Sequence, residues 1–287
     1  MDIVINLNKP KDLSSQQAVT RVKKLLSAKK AGHAGTLDPI ATGVLIVCLN
    51  KATKITRFLS ELDKEYKARV KLGERTDTYD LTGKLLEKKD PSLLKEKDVK
   101  DILKNFLGEI KQTPPMFSAI KIMGQPLYKI ARRGIEIKRP DRLIQIYELE
   151  LIGFDLPYID LKIRCSKGTY IRTLCDDIGK ALGVGAHVYA LERTRVGNFR
   201  IEDSASLEEL LSKKESIHSI DSALSFLDEI ILDENTYLKV KKGMPVIMIT
   251  ENKFINQYLR LKGGADKKLF AIGRVEDNKI NIERLLN

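Results

Sequence analysis

The octapeptide Gly32-His33-Ala34-Gly35-Thr36-Leu37-Asp38-Pro39 is followed, four residues later, by the apolar run Val44-Leu45-Ile46-Val47-Cys48-Leu49. Six consecutive apolar residues behind Gly and Pro signals read as a buried strand. Ahead of that strand, Gly32 and Gly35 permit backbone angles that side chains resist. Pro39 biases Asp38 away from helical angles toward an extended conformation. The expected product is a rigid loop that holds one carboxylate at the edge of a buried strand. An Asp-Pro pair is also an ordinary turn former, so this segment by itself leaves the role of Asp38 open.

At 287 residues the chain can bury a substantial core, as one large domain or as a large and a small one. A charged fraction of 31% with 43% hydrophobic residues describes an ordinary globule. The formal charge of +12 points to a polyanionic partner, either nucleic acid or an anionic membrane surface. No apolar run approaches the ~20 residues that a membrane span needs, and Met1-Asp2-Ile3-Val4-Ile5 lacks the basic lead and long apolar core of a signal peptide. The expected location is the cytoplasm. Cys48, Cys165 and Cys175 fit no CxxC spacing and read as small buried hydrophobes. His33, His187 and His218 are too scattered for a metal site, and none is expected.

Strand and helix signals alternate without a βα rhythm, which predicts an α+β fold with a mixed, largely antiparallel central sheet flanked by helices. Residues 2–7 read as a short strand. Ser14 with Gln17 makes a capping box, and Ala18, Val19, Val22, Leu25 and Leu26 trace one helical face after it. Arg21, Lys23, Lys24, Lys29 and Lys30 fall on the other face. Strands are predicted at 64–72, 143–153 and 158–165, and helices at 95–106, 173–182 and 205–214. Residues 111–142 contain Pro114-Pro115, Gly124, Pro126 and Gly134 and little periodicity. Between Lys121 and Arg142 seven basic residues face two acidic ones. A solvated loop and a basic flap over a nucleic acid both fit that composition. Near residue 229 the pattern resets, with short strands predicted at 230–232, 245–249, 257–262, 268–275 and 278–282 around a helix at about 234–242. The domain boundaries drawn are 1–228, with the basic insertion at about 111–142, and 229–287.

Five blocks in order resemble one family. They are Asn8-Lys9-Pro10-Lys11; Gly32 to Pro39 continued by Ala41-Thr42-Gly43-Val44-Leu45; Lys64-Glu65-Tyr66-Lys67 with Arg75-Thr76-Asp77-Thr78; Gln112-Thr113-Pro114-Pro115 through Ser118-Ala119-Ile120-Lys121; and Lys167-Gly168-Thr169-Tyr170-Ile171-Arg172 through Gly185-Ala186-His187-Val188. Together they resemble the TruB-type tRNA pseudouridine synthases from about residue 3 to 200. The C-terminal segment, with Lys241-Lys242-Gly243-Met244-Pro245 and Leu269 to Val275, looks like a short version of the PUA-like RNA-binding barrel that ends many of these enzymes. A unit of about 59 residues would be marginal alone, so it is expected to lean on the main domain. Two positions depart from the family pattern: Asp12 stands where glycine is common, and Gln16-Gln17 replaces a common His-Asp pair.

The resemblance implies a pseudouridine-synthase fold and isomerisation of uridine to pseudouridine in the T loop of tRNA, at tRNA position 55. No cofactor is needed, because the base is only detached from ribose, turned and rejoined through C5. Asp38 is the implied catalytic carboxylate and Arg172 its counter-ion, since a guanidinium can hold a carboxylate bidentately and favour its charged form in a site that excludes water. Tyr66 is the implied catalytic partner, able to stack on uracil or handle a proton. Tyr170 and Leu191 are implied substrate contacts. His33 is implied to fill the space left when the base is flipped out of the RNA. Tyr170 and Arg172 would point the same way only from a locally extended chain. The resemblance implies a monomer acting without guide RNA or an obligate protein partner, and the insertion at 111–142 as a flap. A non-catalytic tRNA-binding or tRNA-folding protein on the same scaffold is the alternative. A uridine-removing glycosylase is disfavoured for want of a water-activating group.

Overall fold

The computed structural model describes residues 1–118, 120–122, 124–244, 246–247, 257–276 and 279–286. Its main sheet has ten strands. Along one path the order is Ile217–Ser219, Ile3–Lys9, Thr42–Leu49, Ala186–Val196, Lys64–Leu72, Tyr158–Cys165, Arg142–Asp155 and Gly108–Gln112, with Ala31–His33 added to Thr42–Leu49 and Phe199–Arg200 to Ala186–Val196. Every junction is antiparallel except one, where Thr42–Leu49 runs parallel to Ala186–Val196. The mixed, largely antiparallel sheet expected from the sequence is therefore present.

The run of six apolar residues is explained by which faces it buries. Leu45, Val47 and Leu49 enter a core with helix residues Ala18, Val19, Val22, Val99, Leu103, Leu174 and Ile178. Val44, Ile46 and Cys48 point the other way, against Ile55, Phe58 and Phe199. Side chains alternate across a strand, so a strand covered on both faces has no polar position to spare. Lys64–Leu72 instead alternates buried with partly exposed residues.

The parallel seam is short. Only Glu192↔Thr42 and Arg193↔Gly43 are paired. A Cβ on Gly43, at φ +98°, would lie 2.3 Å from the Arg193 carbonyl oxygen, so glycine is required for this approach. Beyond the two pairs the strands part, and a cleft opens there.

Several boundaries differ from expectation. The helix of residues 173–182 begins two residues earlier, as Ile171–Ala181. The first helix, Ser15–Leu25, carries the expected capping box, but it stops before Lys29 and Lys30, which lie on the following loop. No helix spans 205–214. Ser206 and Glu209 do make reciprocal capping hydrogen bonds, yet Leu210 is buried while Leu211 is 66% exposed. A single turn with one anchoring residue does not propagate. The insertion holds a small pairing of Lys121–Ile122 with Gln125–Pro126 and a short helix, Leu127–Ala131. Ala119 and Met123 lie outside the described residues.

From Glu229 onward a second sheet forms in the order Glu229–Ile231, Tyr258–Gly263, Lys268–Glu276, Lys279–Leu285 and Val246–Ile247, beside the helix Glu234–Lys241. Among the described residues this sheet is open, because its end strands do not pair, so the expected barrel closure is not seen. Pro245 and 248–249 of the expected strand at 245–249 lie outside the described residues. As expected for so small a unit, it leans on the main domain. Ile272 and Leu286 join the core around Ile55 and Phe58. The Phe58 and Tyr258 rings meet edge to face at 5.1 Å, and Asp221 pairs with Arg260 and Lys262 at 2.8 Å each.

Candidate active site

A cleft of about 770 Å³ opens at the parallel seam, and all six residues singled out in the sequence line it: His33, Asp38, Tyr66, Tyr170, Leu191 and Arg172. They come from four separate stretches of the chain, which the topology gathers at one point.

Asp38 sits between the loop and the buried strand. Its backbone is fixed on both sides: the Leu37 N–H donates to Ser15 Oγ at 2.7 Å, and the Ala41 N–H donates to the Asp38 carbonyl at 3.1 Å. Of the two flanking glycines, Gly35 uses its freedom (φ +96°), while Gly32 has ordinary strand geometry opposite Cys48. The block Asn8-Lys9-Pro10-Lys11 anchors the same loop. Lys9 is fully buried, with Nζ donating to the Pro10 and Leu13 carbonyls at 2.8 and 2.7 Å and reaching that of Pro39 at 3.5 Å. Burial lowers its pKa to about 8, opposed by the nearby Asp38 charge. Asp12 has φ +66° and donates its N–H to the Pro39 carbonyl at 2.8 Å. That left-handed angle explains why glycine is common there, and aspartate is among the residues that tolerate it. Gln17, the other departure, closes the capping box. Neither disturbs the loop.

Arg172 reaches Asp38 from the first turn of Ile171–Ala181. Its Nη2 donates to Asp38 Oδ1 at 3.0 Å, and its Nε lies 2.8 Å from Oδ2. The same guanidinium donates to Asp80 Oδ2 at 3.1 Å and to the carbonyls of Thr78 and Phe117 at 3.0 and 2.9 Å. Arg172 and Asp80 side chains are each 6% exposed, whereas Asp38 is 33% exposed. The buried member of the pair is thus the arginine, and Asp38 faces the open cleft instead of the dry pocket expected.

Asp80 was not foreseen. It lies two residues past Arg75-Thr76-Asp77-Thr78, and its Oδ1 accepts from Thr78 Oγ1, Thr82 Oγ1 and the Thr82 N–H at 2.7, 2.6 and 3.0 Å. These bonds commit it to holding Arg172. Arg75 serves the same loop, donating to Asp176 Oδ1 at 2.8 Å. Asp176 is fully buried one turn after Arg172 on the same helix. The pair therefore latches the 75–80 loop to the helix that carries Arg172. Asp176→Asn is expected to lower thermal stability by about 2 kcal/mol and slow turnover 5- to 10-fold at unchanged RNA affinity. Single-turnover kinetics beside a melting curve would check this, and full turnover would show the latch idle.

Tyr66 lies on Lys64–Leu72 between Ile163 and Arg193 and is 7% exposed. Burial pushes its phenol up to about 12, partly offset by the positive charge of Arg193. Tyr66 is therefore neutral well above neutral pH, and an activity–pH profile should show no tyrosine limb below about pH 11. Tyr66→Phe is expected to lower the rate about 10²-fold. A Tyr66-dependent fall in rate between pH 8 and 10 would contradict this.

Arg193 is the second residue that sequence reasoning missed. Its side chain is buried, makes no ion pair among the described residues, and donates to the carbonyls of Val44, Gly35 and Thr36 at 2.7, 3.2 and 3.4 Å. It clamps the Asp38 loop to the seam. Its one sequence signal is its position two residues after Leu191 on a strand, which gives both the same face.

Tyr170 and Arg172 do not share an extended segment. Tyr170 is the N-cap residue of Ile171–Ala181 and Arg172 lies in its first turn, so the helix start presents both to the cleft. Gln112 clamps Tyr170, accepting from its N–H at 2.8 Å and donating to its carbonyl at 3.1 Å. Burial raises the Tyr170 phenol pKa. Leu191 supplies an apolar wall and is 6% exposed. His33 lies on the strand Ala31–His33 and not on a loop. Its Nδ1 has no hydrogen-bond partner among the described residues, and burial, followed by the Arg193 charge, lowers its pKa. Phe117, Ser118, Tyr128 and Arg132 of the insertion line the same cleft.

The Cbf5 chain in a crystal structure of a Cbf5-Nop10-Gar1 complex superposes with a TM-score of 0.78 at 28% identity, covering 99% of this chain and 85% of that one. An archaeal box H/ACA sRNP Nop10-Cbf5 complex gives 0.73 at 24% identity, covering 99% and 86%, and shares the fold. The tRNA pseudouridine synthase B of Clostridium tetani is 48% identical over 248 residues, 86% of each chain. That of Clostridium acetobutylicum is 42% identical over 294 residues spanning the whole of both chains. Residues 172–239 match the tRNA pseudouridylate synthase B C-terminal domain. Residues 23–171, more than half of the sequence, match the N-terminal domain of the TruB family pseudouridylate synthases, and the chain belongs to that family.

Proposed function

We propose that this protein isomerises uridine to pseudouridine in the T stem-loop of tRNA, at tRNA position 55, acting alone in the cytoplasm as a monomer without guide RNA or cofactor. The observation that carries the reading is the carboxylate of Asp38, held by Arg172 on one side and open on the other to a cleft walled by Tyr66, Tyr170 and Leu191. The reaction breaks the ribose C1′–N1 bond and makes a C1′–C5 bond. The C5 proton leaves and N1 gains one, so nothing is consumed.

In this reading the flipped nucleotide itself closes the cleft. Unstacking it costs a few kcal/mol, which contacts to the base and the phosphates offset. Tyr66 stacks on uracil as a neutral phenol able to pass a proton. Leu191 and Tyr170 confine the ring while it turns. Asp38 acts at the sugar–base linkage, and Arg172 holds its carboxylate in place beside the cleft. His33, kept neutral by burial, occupies the vacated place in the RNA. The 111–142 insertion serves as the flap, and the 229–287 unit as a PUA-like RNA contact beside the catalytic domain of residues 1–228.

The purified protein is incubated alone with an unmodified tRNA transcript, and pseudouridine is mapped by carbodiimide-dependent primer extension. One new stop, one nucleotide 3′ of position 55, is expected. A bound but unmodified transcript would favour the non-catalytic reading.

A further inference from the structure

We infer that a second contact surface, separate from the cleft, binds the phosphate backbone of the substrate RNA away from the flipped nucleotide. It consists of Arg21, Lys23, Lys24, Lys29, Lys30 and Lys51. It rests on the function proposed above, and names a part of the protein that neither the active-site cleft nor the insertion includes.

The charge pattern is one-sided. Between Asp12 and Asp38 the chain carries no carboxylate. All six cations are exposed, and none makes an ion pair among the described residues. Elsewhere exposed cations are commonly neutralised, as in Arg69–Asp160 and Lys100–Glu96. Lys23 and Lys24 also complement the C-terminal end of the Ser15–Leu25 helix dipole. That accounts for two of the six.

A rigid corner gathers the rest. Asn50 adopts φ +52°, and its Oδ1 accepts from the N–H groups of Lys29 and Lys30 at 2.9 and 3.1 Å. Its Nδ2 donates to the Met1 carbonyl at 2.7 Å, and its own N–H donates to the Lys30 carbonyl at 2.8 Å. One asparagine thus ties the segments at Met1, Lys29–Lys30 and Lys51 together. Asp2, the carboxylate that reaches this corner, accepts the Lys51 N–H at 3.1 Å. Three lysines on a stapled backbone lose less freedom on binding than three on a loose loop.

Its placement fits an RNA engaged at the cleft. Ser14, Ser15 and Gln16 at the start of the helix line the cleft. The helix has 11 residues, about 16 Å at 1.5 Å per residue, and leads from the cleft to the basic corner. A backbone strand leaving the cleft along it passes two or three phosphates before reaching Asn50.

The test replaces all six with glutamine in the full-length chain and measures affinity for a full tRNA transcript from 50 to 200 mM KCl. Loss of two to three phosphate contacts should lower the slope of log affinity against log salt by about 2 to 3, and affinity at 100 mM KCl by about 10- to 100-fold. The single-turnover rate at saturating RNA should be unchanged. Lys95→Gln with Lys97→Gln, two exposed cations elsewhere, should leave the slope as it was. An unaltered slope in the six-fold variant, with wild type making pseudouridine normally, overturns this surface and leaves the proposed function standing. A slower rate at saturation also overturns it, by placing these residues in catalysis. Wild type that makes no pseudouridine overturns the function itself.

Discussion

Asp38→Asn is expected to lower the single-turnover rate of uridine isomerisation by ~10⁴-fold or more while changing RNA affinity less than about threefold. Asparagine keeps the shape of the side chain and a hydrogen-bond acceptor for Arg172 Nη2, now paired with Asp38 Oδ1 at 3.0 Å. What it removes is the negative charge and the lone pairs of the second oxygen. Affinity should survive because phosphate contacts dominate RNA binding, and the chain carries 51 Lys and Arg residues against 39 Asp and Glu. Rapid quench with tritium release from C5-labelled tRNA reads the rate, and filter binding reads the affinity. Turnover within tenfold of wild type, in a preparation verified free of wild-type protein and of deamidation of the new asparagine back to aspartate, would sink the assignment.

What the sequence made legible follows from which interactions are local. The Val44–Leu49 run of the strand Thr42–Leu49 could be read because burial on both faces excludes polar residues from each of its positions. The start of Ser15–Leu25 could be read because Ser14 and Gln17 cap each other within one turn. Site residues found through the family blocks converge because the sheet order sets Thr42–Leu49, Ala186–Val196 and Lys64–Leu72 side by side, a juxtaposition that no local pattern encodes. Asp80 and Arg193 escaped for the same reason. Their partners, Arg172 and the Val44 carbonyl, stand 92 and 149 residues away along the chain, and neither has a periodic signal. The absent helix at 205–214 is the converse case. Its capping signal is local and real, but extending a helix needs a second buried face, which Leu211 does not find.

Arg172→Met should do more damage than loss of one cation suggests, because one guanidinium serves two carboxylates and two carbonyls. Methionine fills much of the volume but donates nothing. Asp80, 6% exposed, keeps its bonds from Thr78 and Thr82 and loses its only ion-pair partner among the described residues. Removing one member of a buried pair costs about 3–5 kcal/mol. The lower end applies here, since Asp38 is a third exposed and can turn to water. Turnover should fall by ~10³-fold or more, because a charge free to move is no longer aimed into the cleft. Arg172→Lys should recover part of the stability but little of the rate. An ammonium neutralises a carboxylate without spanning Asp38 and Asp80 as the fork does. The pairing of Arg172→Met with Asp80→Asn separates the two effects. Neutralising Asp80 in the same chain should restore at least half of the lost stability and none of the activity. If the double variant instead regains turnover, Arg172 acts only by offsetting Asp80, and its contact with Asp38 is incidental.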